Sequence, residues 1–171
     1  FVKSEIELAR EGGYHFGVKL VRGAYMEKER ERARAMGYPS PIQPTKAACD
    51  ADYDDAVAYL MEHIDRTAIC CGSHNENSNE NLAQLMKQKG VEPSDGRIYF
   101  SQLLGMSDHI SYTLAKAGYN VAKYVPYGPV REVIPYLVRR AEENSSITGQ
   151  TGRELTLLLK ELKRRAEAES N

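Results

Sequence analysis

Apolar residues recur along this chain in two alternating patterns. His15 to Arg22 (HFGVKLVR), Thr67 to Ser73 (TAICCGS), part of Arg97 to Leu104 (RIYFSQLL) and Val121 to Val125 (VAKYV) are short apolar runs bounded by turn residues, and each predicts a buried strand. The segments between them show helical spacing. Phe1 to Arg10 is helix-like and Glu11-Gly12-Gly13 ends it. Tyr25 to Met36 carries Glu, Lys and Arg near i,i+4 spacing, with Gly37 as its cap. Tyr38 to Pro44 contains Pro39, Pro41 and Pro44 and predicts a loop. Thr45 to Ile64 is mostly helical, with Ala56, Leu60 and Ile64 at four-residue steps.

After the second strand, His74-Asn75-Glu76-Asn77 opens a polar helix running to Lys89, and Gly90 to Gly96 forms a loop. Gly105-Met106-Ser107 leads into the next helix, with Ser107 as its N-cap and Ala117-Gly118 at its end. The last strand meets a Pro126-Tyr127-Gly128-Pro129 turn. A helix then carries Val130, Val133, Ile134, Leu137 and Val138. Pro129 suits a first helical turn, where the missing N–H has no partner to lose. Pro135 should kink or restart the helix. Asn144 to Gly152 predicts a polar linker, and Glu154 to Ala168 a last helix with Leu155, Leu158, Leu159 and Leu162 along one side.

A strand followed by a helix therefore recurs through the chain, which predicts a parallel α/β sheet covered by helices. Two architectures satisfy the pattern: an open doubly wound sheet, or half of a (β/α)8 barrel. A complete barrel takes about 250 residues, more than the 171 present.

Composition narrows the class. A net charge of −1 gives no electrostatic footprint for nucleic acid. No apolar run approaches the roughly 20 residues of a membrane-spanning helix. The opening Phe1-Val2-Lys3-Ser4-Glu5 lacks a signal-peptide layout, and without an initiator Met the sequence is expected to be an excised piece of a longer chain. Cys49, Cys70 and Cys71 suggest no disulfide framework, and no His/Cys set has zinc-ligand spacing. A reducing compartment is the expectation.

Unusual polar residues gather just after the strands: Arg22-Gly23, His74-Asn75, the Leu103-to-Met106 exit and Tyr124. In both candidate architectures ligands bind at those strand ends. Lys19 and Arg22, three positions apart, should face opposite sides of the first strand. Arg22 either contacts a ligand or bridges helix ends. His74 either orients a cofactor or caps the next helix. Tyr136 lies one turn before Arg139 and Arg140, so phenol and guanidinium share a face. The adjacent arginines form either a bidentate clamp for a carboxylate or phosphate or a solvated helix end that complements the helix dipole. Neither GxGxxG nor GxxxxGK[ST] occurs.

Lys19 to Tyr25 (KLVRGAY), Ser73 to Glu76 (SHNE), Phe100 to Met106 (FSQLLGM) and Tyr124 to Asn144 (YVPYGPVREVIPYLVRRAEEN), in that order, resemble the C-terminal half of the proline dehydrogenase family. The last block is the most specific, and the likeness covers nearly the whole chain. It is similar in style to the single-function mitochondrial enzymes. The bifunctional bacterial ones typically carry Arg at Lys19, Lys at Arg22 and Trp at Met26.

The resemblance implies the C-terminal half of a distorted (β/α)8 barrel that binds FAD over its C-terminal rim. It implies oxidation of L-proline to Δ1-pyrroline-5-carboxylate, with electrons passing to ubiquinone at the mitochondrial inner membrane. It places Arg139 and Arg140 on the substrate carboxylate, Tyr124 and Leu103 around the proline ring, and Tyr136 over the pocket. Lys19, Val21, Arg22, Gly23, Ser73, His74 and Leu103 fall at flavin-binding positions, and Lys46 near the FAD tail. Glu143 is implied to pair with an arginine, and Cys49 stands where Thr is common. A lysine and an aspartate of the family's site would lie in the N-terminal barrel half, absent here and expected in cis or on a second polypeptide. Unpaired strand edges make that partner, or self-association, an expectation. Two rival readings stand beside it: hydroxyproline dehydrogenase, which carries a small residue at the position of Tyr124, and a non-catalytic α/β module that binds an anion.

Overall fold

A computed structural model describes residues 1–23, 25–146 and 150–169. The elements follow the order α1 (Val2–Gly12), β1 (Phe16–Val21), α2 (Met26–Met36), α3 (Lys46–Glu62), β2 (Thr67–Gly72), α4 (Glu76–Gln88), β3 (Ile98–Leu103), α5 (Asp108–Lys116), β4 (Val121–Tyr124), α6 (Val130–Ser146) and α7 (Gln150–Glu169). The chain divides into two compact units, Phe1–Tyr124 and Val125–Asn171.

The first unit holds the sheet. Its strands are all parallel and lie in the sequential order β1-β2-β3-β4. A doubly wound sheet reverses its strand order at a switch point and carries helices on both faces. The order does not reverse among the described strands, and α1, α3, α4 and α5 pack on one face, so the pattern is that of part of a (β/α)8 barrel.

That face makes the core. Tyr53, Val57, Leu60 and Met61 of α3 and Leu82 and Met86 of α4 pack on Ile69 and Cys71 of β2 and on Ile98 and Phe100 of β3. Phe16, Val18 and Leu20 of β1 close the cluster from one edge, and Tyr119 meets Phe100 edge-to-face, centroids 5.3 Å apart. Of the predicted Ala56, Leu60 and Ile64, Leu60 is buried in this stripe, Ile64 packs on the cluster from just past the helix end, and Ala56 is half-buried. The period was legible; which helical face meets the sheet depends on the approach of β2. The opposite strand face turns away from these helices. Its residues alternate with the core positions: Lys19 and Val21 on β1, Cys70 and Gly72 on β2, Tyr99 and Leu103 on β3, Tyr124 on β4.

Caps explain most boundaries. The Thr45 hydroxyl accepts from the Ala48 amide at the start of α3, and Asn75 Oδ1 accepts from the Ser78 amide at the start of α4. Gly13 and Gly37 close α1 and α2 in the left-handed conformation, φ 69° and 73°. Three expectations need correction. The last strand ends at Tyr124 rather than Val125. In the second unit, α6 runs on through Pro135; the ring removes one hydrogen bond in the second turn, and the following turns carry the helix. The predicted Asn144–Gly152 linker is helical at both ends, leaving 147–149 outside the described residues.

At the N-terminal ends of the strands, Asp95 ties the turn before β3. It accepts from Arg97 Nε (2.9 Å), Nη2 (2.6 Å) and the Arg97 amide (2.9 Å), while Arg97 Nη1 donates to the Ile64 carbonyl. These bonds hold the Asp95 carboxyl at about 2. A depressed folded value means stability present above the unfolded value and lost as pH falls toward the folded one. We expect Asp95→Asn in the full-length protein to cost about 1 kcal/mol near neutrality, because the pair is partly exposed. In urea titrations that difference should shrink between about pH 4 and pH 2. An equal difference at both ends would remove the carboxylate from the account.

Candidate functional site

The C-terminal strand ends carry the chemistry. Arg22 follows β1 directly, and strand alternation turns it away from Lys19 and Val21 toward the helices. Its guanidinium stacks over the Tyr53 ring, 4.1 Å to the centroid. Nε donates to Asp50 Oδ1 at 2.7 Å, Nη1 to Ser73 Oγ at 2.9 Å and Nη2 to Ser78 Oγ at 2.8 Å. One side chain therefore joins β1, α3, the exit of β2 and the first turn of α4. Of the two roles left open by sequence, bridging of helix ends is observed directly.

Asp50 extends the cluster: its second oxygen accepts from Lys46 Nζ, one turn earlier on α3. Burial alone would raise the Asp50 carboxyl, but the hydrogen bonds and charges of Lys46 and Arg22 outweigh it and hold it below the usual range. Beneath the stack, Tyr53 Oη lies 3.1 Å from Cys71 Sγ. Burial, reinforced by the thiol, pushes the phenol far up. Burial likewise raises Cys71 to about 11, so the thiol stays neutral and inert.

His74 does not cap α4; Asn75 does. The His74 ring instead meets Ser107 Oγ through Nδ1 at 2.9 Å, joining the β2 exit to the start of α5. Behind them lies a buried polar network. Gln102 Nε2 donates to the Ser73 carbonyl (3.2 Å) and Asn79 Oδ1 (3.3 Å), and Gln102 Oε1 accepts from Ser111 Oγ (2.9 Å). Asn79 also donates to the Ser73 and Asn75 carbonyls at 3.1 and 2.7 Å. Buried polar groups satisfied this completely hold one arrangement.

The opposite strand face gathers a second set. Lys19 and Val21 cross over Gly72, where an added Cβ would lie 2.7 Å from Val21 Cγ1 and 3.2 Å from Lys19 Cε. The Lys19 ammonium then stands over the Tyr124 ring, 5.0 Å to the centroid. Leu103 is the register partner of Tyr124. Residues of both edge strands thus meet across this face. Gly23 has open space where a Cβ would stand.

In the second unit, Tyr136 and Arg140 stack on one face of α6, guanidinium to ring centroid 5.3 Å, as their four-residue spacing predicted. Arg139 is adjacent on the same helix. The Glu143 side chain lies outside the described residues.

Sequence reading had not singled out Asp50, Tyr53, Ser78, Gln102 or Ser111. Only Asp50 had a local signal, its i,i+4 spacing from Lys46. Tyr53, Ser78 and Gln102 matter through partners on distant segments, and Ser111 through Gln102, nine positions away on the preceding strand. Among the described residues, no cluster of His, Cys, Asp and Glu could hold a metal ion, and no helix is long and apolar enough to cross a membrane.

The sequence profile described as proline dehydrogenase matches residues 1–153. A human protein named mitochondrial proline dehydrogenase 1 is 50% identical over 167 residues, covering 96% of this chain and 28% of the relative. A bovine hydroxyproline dehydrogenase is 45% identical over 165 residues, covering 94% of this chain and 36% of its own length. Among solved structures, proline utilization A from Bdellovibrio bacteriovorus, inactivated by N-propargylglycine, superposes with a TM-score of 0.79 at 33% identity, over 86% of this chain and 15% of that one. The chain thus spans about a quarter to a third of the curated relatives it matches.

The Arg22 junction predicts an asymmetry. Lys46 is well exposed, so Lys46→Ala should change stability by less than about 0.5 kcal/mol. Asp50→Ala leaves a partly buried guanidinium without its carboxylate and should cost about 1–3 kcal/mol. Chemical denaturation of both full-length variants checks this; equal losses would refute the junction.

Proposed function

Because the chain belongs to the proline dehydrogenase family, we propose that it supplies part of the catalytic barrel of a flavoenzyme that oxidises L-proline to Δ1-pyrroline-5-carboxylate. The observation that carries this reading is the family match over residues 1–153, which takes in every strand end where the candidate residues gather.

The donor set suits FAD. Lys46 and Arg22 are cations beside the exits of β1 and β2, as a pyrophosphate requires. Ser73, His74 and the amide-rich start of α4 add donors, and Gly23 leaves its space open. Lys19, Val21 and Leu103 offer a surface turned away from the core helices at the same strand ends for the isoalloxazine. Bound there, FAD would accept a hydride from the substrate.

The chain's own residues bind and orient. Arg139 and Arg140 hold the proline carboxylate through charge-assisted, forked hydrogen bonds, fixing the reacting carbon in place. Tyr136, braced against Arg140, covers the pocket, and Tyr124 and Leu103 pack on the pyrrolidine ring. The substrate loses hydride from the carbon beside nitrogen and a proton from nitrogen, leaving a C=N bond. The amine must reach the site unprotonated, so the rate should rise with pH until the bound amine is neutral. The remaining barrel half, in cis or on a partner chain, completes the site and covers the edges of β1 and β4. Electrons leave to a quinone, and the site of action is the matrix side of the mitochondrial inner membrane. Relatives named mitochondrial support the organelle.

Hydroxyproline dehydrogenases match nearly as well. Tyr124 favours proline, because its phenol on that face would crowd a 4-hydroxyl.

We expect the purified full-length protein to carry a flavin absorbance band that anaerobic L-proline bleaches. A protein without that band, or one that proline leaves coloured, would overturn this reading. Arg140→Met should lower kcat/KM for proline roughly ten- to a hundredfold, the loss of one hydrogen bond between charged groups. Tyr124→Ser should move the proline-to-hydroxyproline ratio of kcat/KM toward hydroxyproline by at least about tenfold, relief of the clash on one buried group.

A further inference from the structure

Ser107 is the only non-glycine residue with positive φ among the described residues, φ 52° and ψ 42°. It is also the N-cap of α5, where a serine ordinarily takes an extended backbone and turns its hydroxyl onto the helix's first amides. Here the carbonyl does its part, accepting from the Ile110 and Ser111 amides at 3.1 and 3.2 Å. The hydroxyl makes no capping bond. It lies 2.9 Å from His74 Nδ1 instead. The residue is nearly inaccessible, 4% exposed. Its conformation is locally unfavourable on two counts, a left-handed backbone at a residue with a Cβ and a missing cap. Such a conformation persists only where the surroundings over-determine it, and residues of this kind cluster at functional sites.

The surroundings do over-determine it. Gly105, at φ 78°, turns the chain out of β3 so that Ser107 arrives beneath the β2 exit. Ser111, one turn into α5, reaches the Ser107 carbonyl at 3.3 Å and donates to Gln102 Oε1 at 2.9 Å. Gln102 is itself fastened to the Ser73 carbonyl, the residue before His74. The backbone beside His74 and the hydroxyl on its ring are therefore held by one continuous set of bonds from β3 and α5.

We propose that Ser107 is the positioning residue for His74: its hydroxyl on Nδ1 fixes the orientation of the imidazole and selects which ring nitrogen carries the proton. This rests on the reading of His74 as a flavin contact. It goes beyond that reading by assigning the orientation of the imidazole to a residue on a different strand–helix unit. When a ring nitrogen is held by a hydrogen bond, the state of the other is set with it.

The test uses full-length protein and the substitution Ser107→Gly, which removes the hydroxyl while giving the backbone the residue its φ favours. The expected result is that stability and flavin binding move in opposite directions. The melting temperature of the deflavinated protein stays level or rises, since strain is relieved, while the Kd for FAD rises about three- to tenfold, the loss of one hydrogen bond. Ser107→Ala, which keeps the strain and loses the hydroxyl, should weaken FAD to the same extent. Neither change should weaken FAD further in a His74→Ala background. With nitrogen-labelled histidine, the Nδ1 resonance of His74 should move in Ser107→Gly even without flavin. An unchanged Kd, equal weakening in the His74→Ala background, or an unmoved Nδ1 resonance would each overturn the proposal. Wild-type protein that takes up no FAD would overturn the cofactor reading instead, and the Nδ1 resonance would still decide whether Ser107 sets the imidazole.

Discussion

The arrangement of the strand ends depends on what surrounds one guanidinium. Arg22 leaves β1 on the helix side of the sheet, where a charge is costly unless it is paired and hydrogen-bonded. Its ring neighbour Tyr53 and its three acceptors come from α3, the β2 exit and α4. Satisfying the fork therefore fixes the distance between two helices and the first two strands at the end where ligands bind. Asp50 completes the arrangement by taking Arg22 on one oxygen and Lys46 on the other. Two cations proposed for the cofactor are thus set relative to each other before any cofactor arrives. Preorganisation of this sort lowers the ordering cost of binding.

Behind this charged rim the polar layer is continuous. Gln102, Asn79, Ser73 and Ser111 exchange hydrogen bonds where a sheet ordinarily meets its helices with apolar side chains. Moving away from that rim toward the N-terminal strand ends, the contacts become Phe100, Ile98, Ile69, Val57 and Leu60. The apolar end supplies cohesion, and the polar end sacrifices part of it to hold His74 and the β2 exit in one geometry. The division follows the general pattern of parallel α/β architectures, stability at one end of the strands and chemistry at the other.

The core is also one-sided. Parallel sheets are ordinarily buried on both faces, yet here Lys19, Val21, Tyr99 and Tyr124, on the strand face turned away from the core helices, are exposed. Lys19 laid across Gly72 and over the Tyr124 ring is the local accommodation of that face. A sheet in this state suits a chain that spans a fraction of its relatives' length, and the same face is the one to which the substrate ring and the flavin are assigned.

The sequence by itself determined the strand–helix alternation, the parallel sheet and most boundaries, because period, glycine caps and turn prolines are local and act within a few residues. It also marked Arg22, His74, Tyr124 and the Tyr136–Arg140 pair, since strand exits and helical spacing are readable in one dimension. The choice between a doubly wound sheet and a barrel segment was not readable, because both satisfy the same periodicity; the sequential strand order, with α1, α3, α4 and α5 on one face, decided it. Pro135 reads locally as a break, and the helix passes through it because its neighbours sustain the remaining turns. Ser107 reads as an ordinary N-cap, and only the folded chain shows its hydroxyl taken by His74, 33 positions away in sequence. Tyr53 and Ser78 carry no mark in sequence at all, and Gln102 lies in the Phe100-to-Met106 block with no role legible there. Their roles come from groups brought together across strands, and a hydrogen bond between distant segments leaves no period to read.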